Sequence, residues 1–196
     1  MTSVALPRLS ASTLAQIHAG VQLPRFGRTT AHVGIVHLGI GAFHRAHQAV
    51  FTQDAVDLTG DDRWGILGVT QRSRSVVDQL RPQDGLYGVL TASAAGESLR
   101  IIGSVKDAAF PAEETVRVLG TIAAPTTHIV SLTITEKGYC RGASGGVDLD
   151  REDVAADLRS LERELAGADG AASVTGIGLL VRGLAARFRA GGERLT

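Results

Sequence analysis

Short apolar runs, rich in β-branched residues and bounded by glycine or polar residues, recur along the chain. Runs at 33–39 (VGIVHLG), 64–69 (WGILGV) and 128–135 (HIVSLTIT) carry this pattern. Because a strand that is covered on both faces has no polar side, such runs predict buried strands of a parallel sheet. Two further runs, 86–93 and 98–105, flank the sequence AAGE, which predicts two strands joined by a tight connection.

Between these runs, the apolar residues recur with helical spacing. The stretch 42–59 carries an apolar stripe and is followed by Gly60, a typical stop signal for a helix. Pro111, followed by two acidic residues, opens a second helix, because proline and acidic side chains suit the first turn. The same reading predicts four more helical segments, at 10–19, 75–80, 151–166 and 173–190.

Strands that alternate with helices predict an α/β protein with a doubly wound, mostly parallel sheet and helices on both of its faces. No strand follows the last predicted helix, so we expect the sheet to be incomplete at its C-terminal end, as in the front part of a longer protein. We predict two regions. Residues 1–30 form an N-terminal helix and linker, and residues 31–196 form the main domain.

The composition narrows the class of protein. Of the 196 residues, 44% are hydrophobic and 20% are charged, as in an ordinary globular domain with a buried core. Twenty basic and twenty acidic residues cancel, which argues against a nucleic-acid surface. No apolar run approaches the roughly 18 residues of a membrane span. The lone cysteine, Cys140, and the lack of a secretion signal predict a cytoplasmic protein.

The stretch IVHLGIGAFHRAHQAVF (35–51) places two glycines directly after a predicted strand and before a predicted helix. In that arrangement, backbone N–H groups at the helix start face a phosphate. Gly39 permits the tight turn, and Gly41 lets the backbone approach a ligand without a Cβ in the way. His44 stands where the full dinucleotide motif has a third small residue. A tight turn that binds no ligand is the alternative.

Three polar residues in this stretch add candidate chemistry. Arg45, one turn into the predicted helix, can reach a phosphate or a carboxylate. His44 and His47 lie three positions apart, which is compatible with a pair of metal ligands. Because no third ligand lies nearby in the sequence, hydrogen-bonding roles are favoured and we predict no metal site.

The stretch HLGIGAFHRAHQAVFTQD (37–54) closely resembles the start of the mannitol dehydrogenase family, the long-chain polyol dehydrogenases that include fructuronate and tagaturonate reductases. The resemblance continues through WGILGV, RPQDGLYGVL, IIGSVKDA and IVSLTITEKGYC, and so covers nearly the whole chain from about residue 30. It implies a Rossmann-like domain whose opening stretch binds the phosphates of NAD or NADP. The residues that it marks for the coenzyme are Gly39, Ile40, Gly41, Ala42, Phe43, His44 and Arg45.

The resemblance also implies what the chain lacks. In the family, a lysine on a second, helical domain is the acid/base, assisted by an asparagine and a histidine. Lys106 and Lys137 are the two lysines here, and neither lies in that motif. We therefore expect residues 31–196 to be the dinucleotide-binding domain, without the C-terminal substrate and catalytic domain. The chain alone is expected to be inactive.

The choice of coenzyme depends on the residues after the second strand. An enzyme that prefers NAD usually has an acidic residue there, which accepts a hydrogen bond from the ribose 2′-hydroxyl. Here the sequence is TQRSRS (70–75), and members of the resembled family that prefer NAD carry acidic residues about where Arg74 and Ser75 stand. Arg72, Arg74 and the hydroxyls beside them suit a 2′-phosphate, which predicts that NADP is accepted alongside NAD. A solvated surface turn is the alternative.

Glu136 and Lys137 follow the predicted strand 128–135, at the edge where open α/β sheets bind their ligands. Glu136 is the candidate catalytic residue of this chain, either relaying protons or contacting the nicotinamide side of the site. A solvated Glu–Lys turn is the alternative. The sequence TEKGY (135–139) resembles the fructuronate reductase branch of the family.

The sequence thus predicts the coenzyme-binding part of an NAD(P)-dependent oxidoreductase that interconverts a sugar alcohol or aldonate and its keto form. The expected partners are small molecules, namely a sugar alcohol, a ketose or a sugar acid, with no nucleic acid or membrane partner. A truncated, non-catalytic dinucleotide-binding module is the alternative. An unrelated doubly wound enzyme, such as a methyltransferase, is disfavoured by the GAFHRAH match. The oligomeric state and the particular sugar stay open.

Overall fold

The computed structural model describes residues 7–25, 32–94 and 96–191. The strands are β1 (Val33–Leu38), β2 (Gly65–Val69), β3 (Tyr87–Ser93), β4 (Gly96–Ile102), β5 (Val105–Ala109) and β6 (Ile129–Leu132). The α-helices are α1 (Ala42–Ala46), α2 (Gln48–Thr59), α3 (Ser75–Leu80), α4 (Pro111–Ala123), α5 (Glu152–Leu165) and α6 (Gly176–Arg189). Within the described part of the chain, no helix combines the length and the apolar character needed to cross a bilayer.

Four strands form a parallel sheet in the order β5-β2-β1-β6. Strand β1 lies between β2 and β6, with Val36 opposite Leu67 on one side and Val130 on the other. The chain winds outward from β1 through β2 to β5, and then returns through α4 to β6 on the opposite side of β1. This reversal of direction creates a topological switch point at the carboxyl ends of β1 and β6.

Helices cover both faces of the sheet. On one face, Ile35 and Ile66 pack with residues of α2 and α3, including Ala49 and Leu80. On the other face, the neighbouring strand residues pack with α4 and α6; this second layer includes Val36, Leu67, Val118, Ile122 and Leu179. Because side chains alternate between the faces of a strand, consecutive apolar residues supply both layers. The predicted doubly wound, parallel α/β fold is confirmed.

The predicted strand 98–105 is wrong in its second half, because the chain turns at Gly103 and Ser104. The Gly103 N–H donates to Gln53 Oε1 at 2.9 Å, and the Ser104 hydroxyl donates to the Ala49 carbonyl at 2.7 Å. Both bonds tie the turn to α2. As a result, β4 pairs with β3 in an antiparallel hairpin and does not continue into the parallel sheet, whereas β5 joins that sheet beside β2.

The single helix predicted over 42–59 is two helices, α1 and α2, which meet at His47 with φ −126° and ψ −89°. This break sends the His44 side chain into the core while the His47 ring stays outside. The predicted strand 128–135 is also shorter, since β6 ends at Leu132. The remaining predicted helices, 75–80, the one opened by Pro111, 151–166 and 173–190, are present as α3 to α6.

The helix predicted over 10–19 is wrong. The structure has only a 3-10 turn, Leu14–Gln16, because Ser10 and Thr13 satisfy the local backbone with their own side chains. The Ser10 N–H, for example, donates to Thr13 Oγ1 at 2.8 Å. The segment then runs alongside strand β4 of the β3–β4 hairpin, where the Gln22 N–H donates to the Leu99 carbonyl at 3.0 Å. Residues 26–30 of the predicted linker lie outside the described residues.

Candidate functional site

A cleft of about 310 Å³ opens at the carboxyl ends of β1, β2 and β6. Its lining comes from the turn after β1 (39–41), the segment after β2 (70–73) and the segment after β6 (133–135). These three segments meet because parallel strands all end at the same edge of a sheet. The cleft therefore lies at the switch point, where open α/β sheets bind their ligands.

The two glycines of the turn after β1 have different structural roles. Gly39 has a φ of +110°, which residues with a side chain rarely adopt, and a Cβ there would collide with the Thr133 carbonyl oxygen. Gly41 has ordinary extended angles, φ −80° and ψ −177°. A Cβ on Gly41 would meet only the Gly39 carbonyl oxygen, at 3.9 Å. The fold thus requires glycine at 39 but would accept alanine at 41.

The backbone amides of this turn fall into two groups. The Gly39 and Ile40 N–H groups donate to the Val69 carbonyl at 2.8 and 3.1 Å, and the Gly41 N–H turns back to the Gly39 carbonyl at 2.6 Å. Helix α1 then begins, and the first N–H groups of a helix have no intrahelical acceptor. Within the described residues, the amides of Ala42 and Phe43 donate to no other group. These two amides can therefore receive an anion.

Ile40 belongs to the core and not to the open part of the cleft. Its side chain is 2% exposed and lies over β2, where Gly68 leaves room for it. A Cβ at Gly68 would collide with the Ile40 side chain. The predicted contact of Ile40 with a ligand is thus limited to its backbone. Its apolar side chain instead fixes the position of the turn on the sheet.

Phe43 and Arg45 lie on the outer side of α1. Phe43 is 67% exposed, and its ring stacks on the His47 ring at a centroid distance of 5.2 Å. The carbonyl of Arg45 accepts a hydrogen bond of 2.7 Å from the Tyr87 hydroxyl, which ties α1 to the β3–β4 hairpin. The half-buried guanidinium of Arg45 forms no ion pair with any described residue. It is available to an anionic ligand.

A stacked pair of buried histidines, His37 and His44, supports the turn from inside. The rings are nearly parallel, with centroids 3.5 Å apart, and both residues are 1% exposed. The two ring nitrogens of His37 are hydrogen-bonded to the hydroxyls of Ser131, at 2.8 Å, and Thr133, at 2.9 Å. Neither ring nitrogen of His44 has a partner among the described residues. The stack thus connects α1 to β1 and to the end of β6.

Both histidines are kept uncharged by their surroundings. Burial lowers the pKa of His37 from its ordinary 6.5 to about 4. Burial, followed by the nearby His37, lowers the pKa of His44 to about 3. A charge on either ring would be poorly solvated and would repel a charge on the other. The stack is therefore stable in its neutral form.

His44 and His47 do not come together as ligands of a metal ion. The His44 ring packs inward on His37, whereas the exposed His47 ring lies between Phe43 and Phe51 on the outside of the helices. In the ranges that the structure describes, no group of three or more metal-ligating side chains is found. The two histidines therefore do not form the pair of ligands that their spacing alone would allow.

The two arginines after β2 differ in their environment. Arg72 lines the cleft, is exposed, and forms no ion pair within the described part of the chain. Arg74 opens α3 and is paired with Asp78 at 2.9 Å and with Glu113. These acids raise the pKa of Arg74, most of all through the hydrogen bond that Arg74 donates to Asp78. Of the two predicted coenzyme residues, only Arg72 has an uncompensated charge beside the cleft.

Glu136, the candidate catalytic acid, starts a 3-10 turn, Glu136–Tyr139, directly after the cleft segment 133–135. Its side chain is exposed and forms no ion pair with a described residue. It lies on the wall of a neighbouring cavity together with Lys137. The structure thus places Glu136 at the predicted edge of the sheet but gives it no positioning partner.

Sequence reasoning missed several residues of the site. The sequence pattern places His37 in a strand and gives it no role at the site. It also assigns no binding role to the cleft residues Gln71, Thr133 and Gly138. The position of Thr133 was predictable from the sequence. Thr133 follows a strand that must lie beside β1 if the order of the strands reverses there. The partner of His44 could not be found from spacing, because the stack joins two elements across the turn.

Comparison with known proteins places this architecture in a family. Residues 33–196 match the model of the mannitol dehydrogenase Rossmann domain. D-mannonate oxidoreductase of Escherichia coli (strain K12) is 40% identical over 154 residues, which cover 76% of this chain and 32% of that protein. Polyol:NADP oxidoreductase of Gluconobacter oxydans (strain 621H) is 32% identical over 194 residues, 96% of this chain and 38% of that protein.

A solved structure agrees with these relatives. The ternary complex of Pseudomonas fluorescens mannitol 2-dehydrogenase with NAD and D-mannitol superimposes with a TM-score of 0.83 at 31% identity, covering 93% of this chain and 36% of that chain. The chain thus spans about a third of the length of the relatives that it matches. The chain belongs to the mannitol dehydrogenase family and corresponds to its Rossmann domain.

Proposed function

We propose that this chain is the coenzyme-binding part of an NAD(P)-dependent oxidoreductase that interconverts a sugar alcohol or a sugar acid with its keto form. The observation that carries the proposal is the turn after β1. At the switch point of the sheet, Gly41 has no side chain to fill the cleft, and the amides of Ala42 and Phe43 have no acceptor among the described residues. A diphosphate is the group that such amides bind in dinucleotide-binding folds.

Each residue has a proposed part in holding the coenzyme. The amides of Ala42 and Phe43 bind diphosphate oxygens, and Arg45 supplies a positive charge at the outer side of the turn. Gly39, Ile40 and His44 act indirectly, by fixing the turn on the sheet. When bound, the nicotinamide ring would donate hydride to the keto form, or accept it from the alcohol in the reverse direction. Glu136 is proposed to accept or relay a proton at the end of the cleft beyond β6.

The relatives and one residue of this chain support a substrate class and a location for the whole protein. The relatives are named for mannitol, mannonate and other polyols, so we propose a substrate of that kind for the whole protein. The TEKGY sequence favours the fructuronate reductase branch. Cys140 is buried and forms no disulfide, which suits a reducing compartment, and we place the protein in the cytoplasm.

The test is a titration of the 196-residue chain with NADH, followed through the fluorescence of NADH itself. Gly41→Ala adds one methyl group, which meets no protein atom closer than 3.9 Å, and we propose that it takes up space that the bound diphosphate needs. We expect the variant to weaken NADH binding by about tenfold or more, equal to roughly 1.4 kcal/mol, while its thermal unfolding stays unchanged.

Gly120→Ala is the matched control. Gly120 lies in α4, and a Cβ there meets no atom within 4 Å. This substitution should stabilise the helix by up to about 1 kcal/mol and leave NADH affinity as it was. Equal NADH affinities for Gly41→Ala and the unchanged chain would contradict the proposed contact at the turn.

A further inference from the structure

A second cavity, of about 530 Å³, adjoins the cleft. The two share Gln71, Arg72 and Gly138, so they form one continuous depression at the carboxyl edge of the sheet. The other walls of the second cavity are the residues after β6 and the starts of α5 and α6. Its volume lies within the roughly 300–1,000 Å³ that is typical of sites for small molecules.

The lining of this cavity has an excess of positive charge. Arg72, Lys137 and Arg141 are exposed on its wall, and none of them forms an ion pair within the described ranges. Arg151 also lines it but is neutralised by Asp153, at 2.6 Å. Of the two acidic residues of the lining, Asp153 is paired with Arg151, and Glu136 forms no ion pair within the described part. The cavity therefore favours an anion.

The position of the cations indicates which anion. In dinucleotide-binding sheets, the adenosine ribose lies at the end of the second strand, and the redox half of the coenzyme lies on the other side of the first strand. Arg72 follows β2 and is on the ribose side. Lys137 and Arg141 follow β6, which is the side of the reacting ring. An anion held by these two residues belongs to the substrate and not to the coenzyme.

We infer that Lys137 and Arg141 bind the carboxylate of a sugar-acid substrate, and that the whole enzyme acts on hexonates and their keto forms in preference to uncharged polyols. The inference rests on the proposed function. A guanidinium can bind a carboxylate through two parallel hydrogen bonds, and an ammonium adds a compact charge. An uncharged sugar alcohol would leave both cations without a counter-charge.

The experiment is an NMR titration of the ¹⁵N-labelled 196-residue chain with sodium D-mannonate and with D-mannitol, which share a carbon skeleton and differ in charge. Ionic strength is held constant with sodium chloride, and each titration is run with and without NADH. We expect mannonate to bind at least about tenfold more tightly than mannitol and to shift the amide signals of residues 136–141. Lys137→Gln and Arg141→Gln should each weaken mannonate binding by about tenfold, with NADH affinity unchanged.

Arg159→Gln is the matched control, because Arg159 is an exposed cation on α5 that lines neither cavity and has no ion pair in the described segments. Its mannonate affinity should equal that of the unchanged chain. Equal binding of mannonate and mannitol, or full mannonate affinity in both Lys137→Gln and Arg141→Gln, overturns the inference. So does competition of mannonate with NADPH but not with NADH, since the cavity would then hold the coenzyme's 2′-phosphate.

The two proposals fail separately in this design. A chain that binds NADH but does not discriminate mannonate from mannitol contradicts the substrate inference and leaves the coenzyme site intact. A chain that binds no NADH contradicts the proposed function, whatever it does with mannonate.

Discussion

Arg72 and Arg74 are two positions apart, yet their charges have different uses. Arg74 is held by Asp78 and Glu113, so its guanidinium ties α3 to the start of α4. Arg72 has no acidic partner in the described part of the chain and faces the cleft. Because a free guanidinium pairs well with a phosphate, we expect Arg72 to contact the 2′-phosphate of NADP.

The corresponding prediction concerns coenzyme preference. Arg72→Gln should weaken the binding of NADPH by about tenfold and that of NADH by less than about twofold, as measured by coenzyme fluorescence. Arg74→Gln removes the same charge from a residue that is already paired, so the ratio of the two affinities should not change. A loss of NADPH preference in Arg74→Gln alone would show that the ion pairs of Arg74 open when the coenzyme binds.

The histidine stack makes stability depend on pH. The pKa values of His37 and His44, about 4 and about 3, lie below the ordinary 6.5. At a pH between these lowered values and 6.5, the unfolded chain therefore binds more protons than the folded chain. Above about pH 6.5, these two histidines should add no pH dependence to the free energy of unfolding. As the pH falls below 6.5, each histidine should lower the free energy of unfolding by up to ~1.4 kcal/mol per pH unit.

Urea unfolding followed by circular dichroism between pH 7 and pH 5 measures this slope. His44→Phe keeps a stacked ring but removes one titrating group, so the slope should fall by about half. His47→Phe, which adds the same ring on the solvent side of the helices, is the control for the ring itself. A His44→Phe slope equal to that of the unchanged chain would mean that the stack is not buried in solution.

At the scale of elements, a buried ion pair joins α5 to α6. Asp157 accepts hydrogen bonds from the N–H groups of Val174, at 3.1 Å, and Thr175, at 2.8 Å, just before α6 begins. It also accepts a bond of 3.3 Å from Arg182, which is 1% exposed and paired with Glu164 as well. These contacts fix the first turn of α6, which forms one wall of the second cavity.

Asp157→Ala should therefore lower the free energy of unfolding by about 3–5 kcal/mol, because it leaves part of the charge of Arg182 and two backbone amides unpaired in the interior. Asp150→Ala, an acidic residue on the exposed loop before α5, should change stability by less than about 0.5 kcal/mol. Chemical denaturation of both variants gives the comparison. Similar stabilities would show that water satisfies Arg182 once Asp157 is removed.

Elements with strong local signals were predictable from the sequence, and those set by neighbours were not. Strands β1 and β2 and helices α3 to α6 follow from apolar runs, proline and acidic first turns. The switch of β5 into the parallel sheet depends on hydrogen bonds from Gly103 and Ser104 to α2, which no local pattern shows. The break at His47 likewise goes together with the contact of His44 and His37, which joins two elements and shows in no local pattern.

For the molecule as a whole, the sequence predicted that the candidate residues lie at one edge of the sheet, but not which of their polar groups are free. The glycine turn, the residues after β2 and Glu136 all lie at the carboxyl edge of the sheet, as predicted. Which amides are free, and which arginine is unpaired, depends on bonds between distant segments such as Arg74 and Glu113. The assignment of residues 31–196 as one dinucleotide-binding domain stays a prediction.

The position of Trp64 matters for the choice of measurement. It precedes β2, at the amino edge of the sheet, and its indole N–H donates to Asp61 at 3.0 Å. The five residues of β2 separate it from the cleft, a length of roughly 17 Å at about 3.3 Å per residue. Its emission should therefore report unfolding, and a ligand in the cleft does not contact its ring, so binding is followed most directly through the fluorescence of the coenzyme itself.

The most direct test of the account is a crystal structure of the chain with NADH bound. We expect diphosphate oxygens within about 3.2 Å of the amide nitrogens of Ala42 and Phe43, over the side of Gly41 that carries no side chain. Ordered NADH located away from this turn, or an empty turn at saturating NADH, would contradict it.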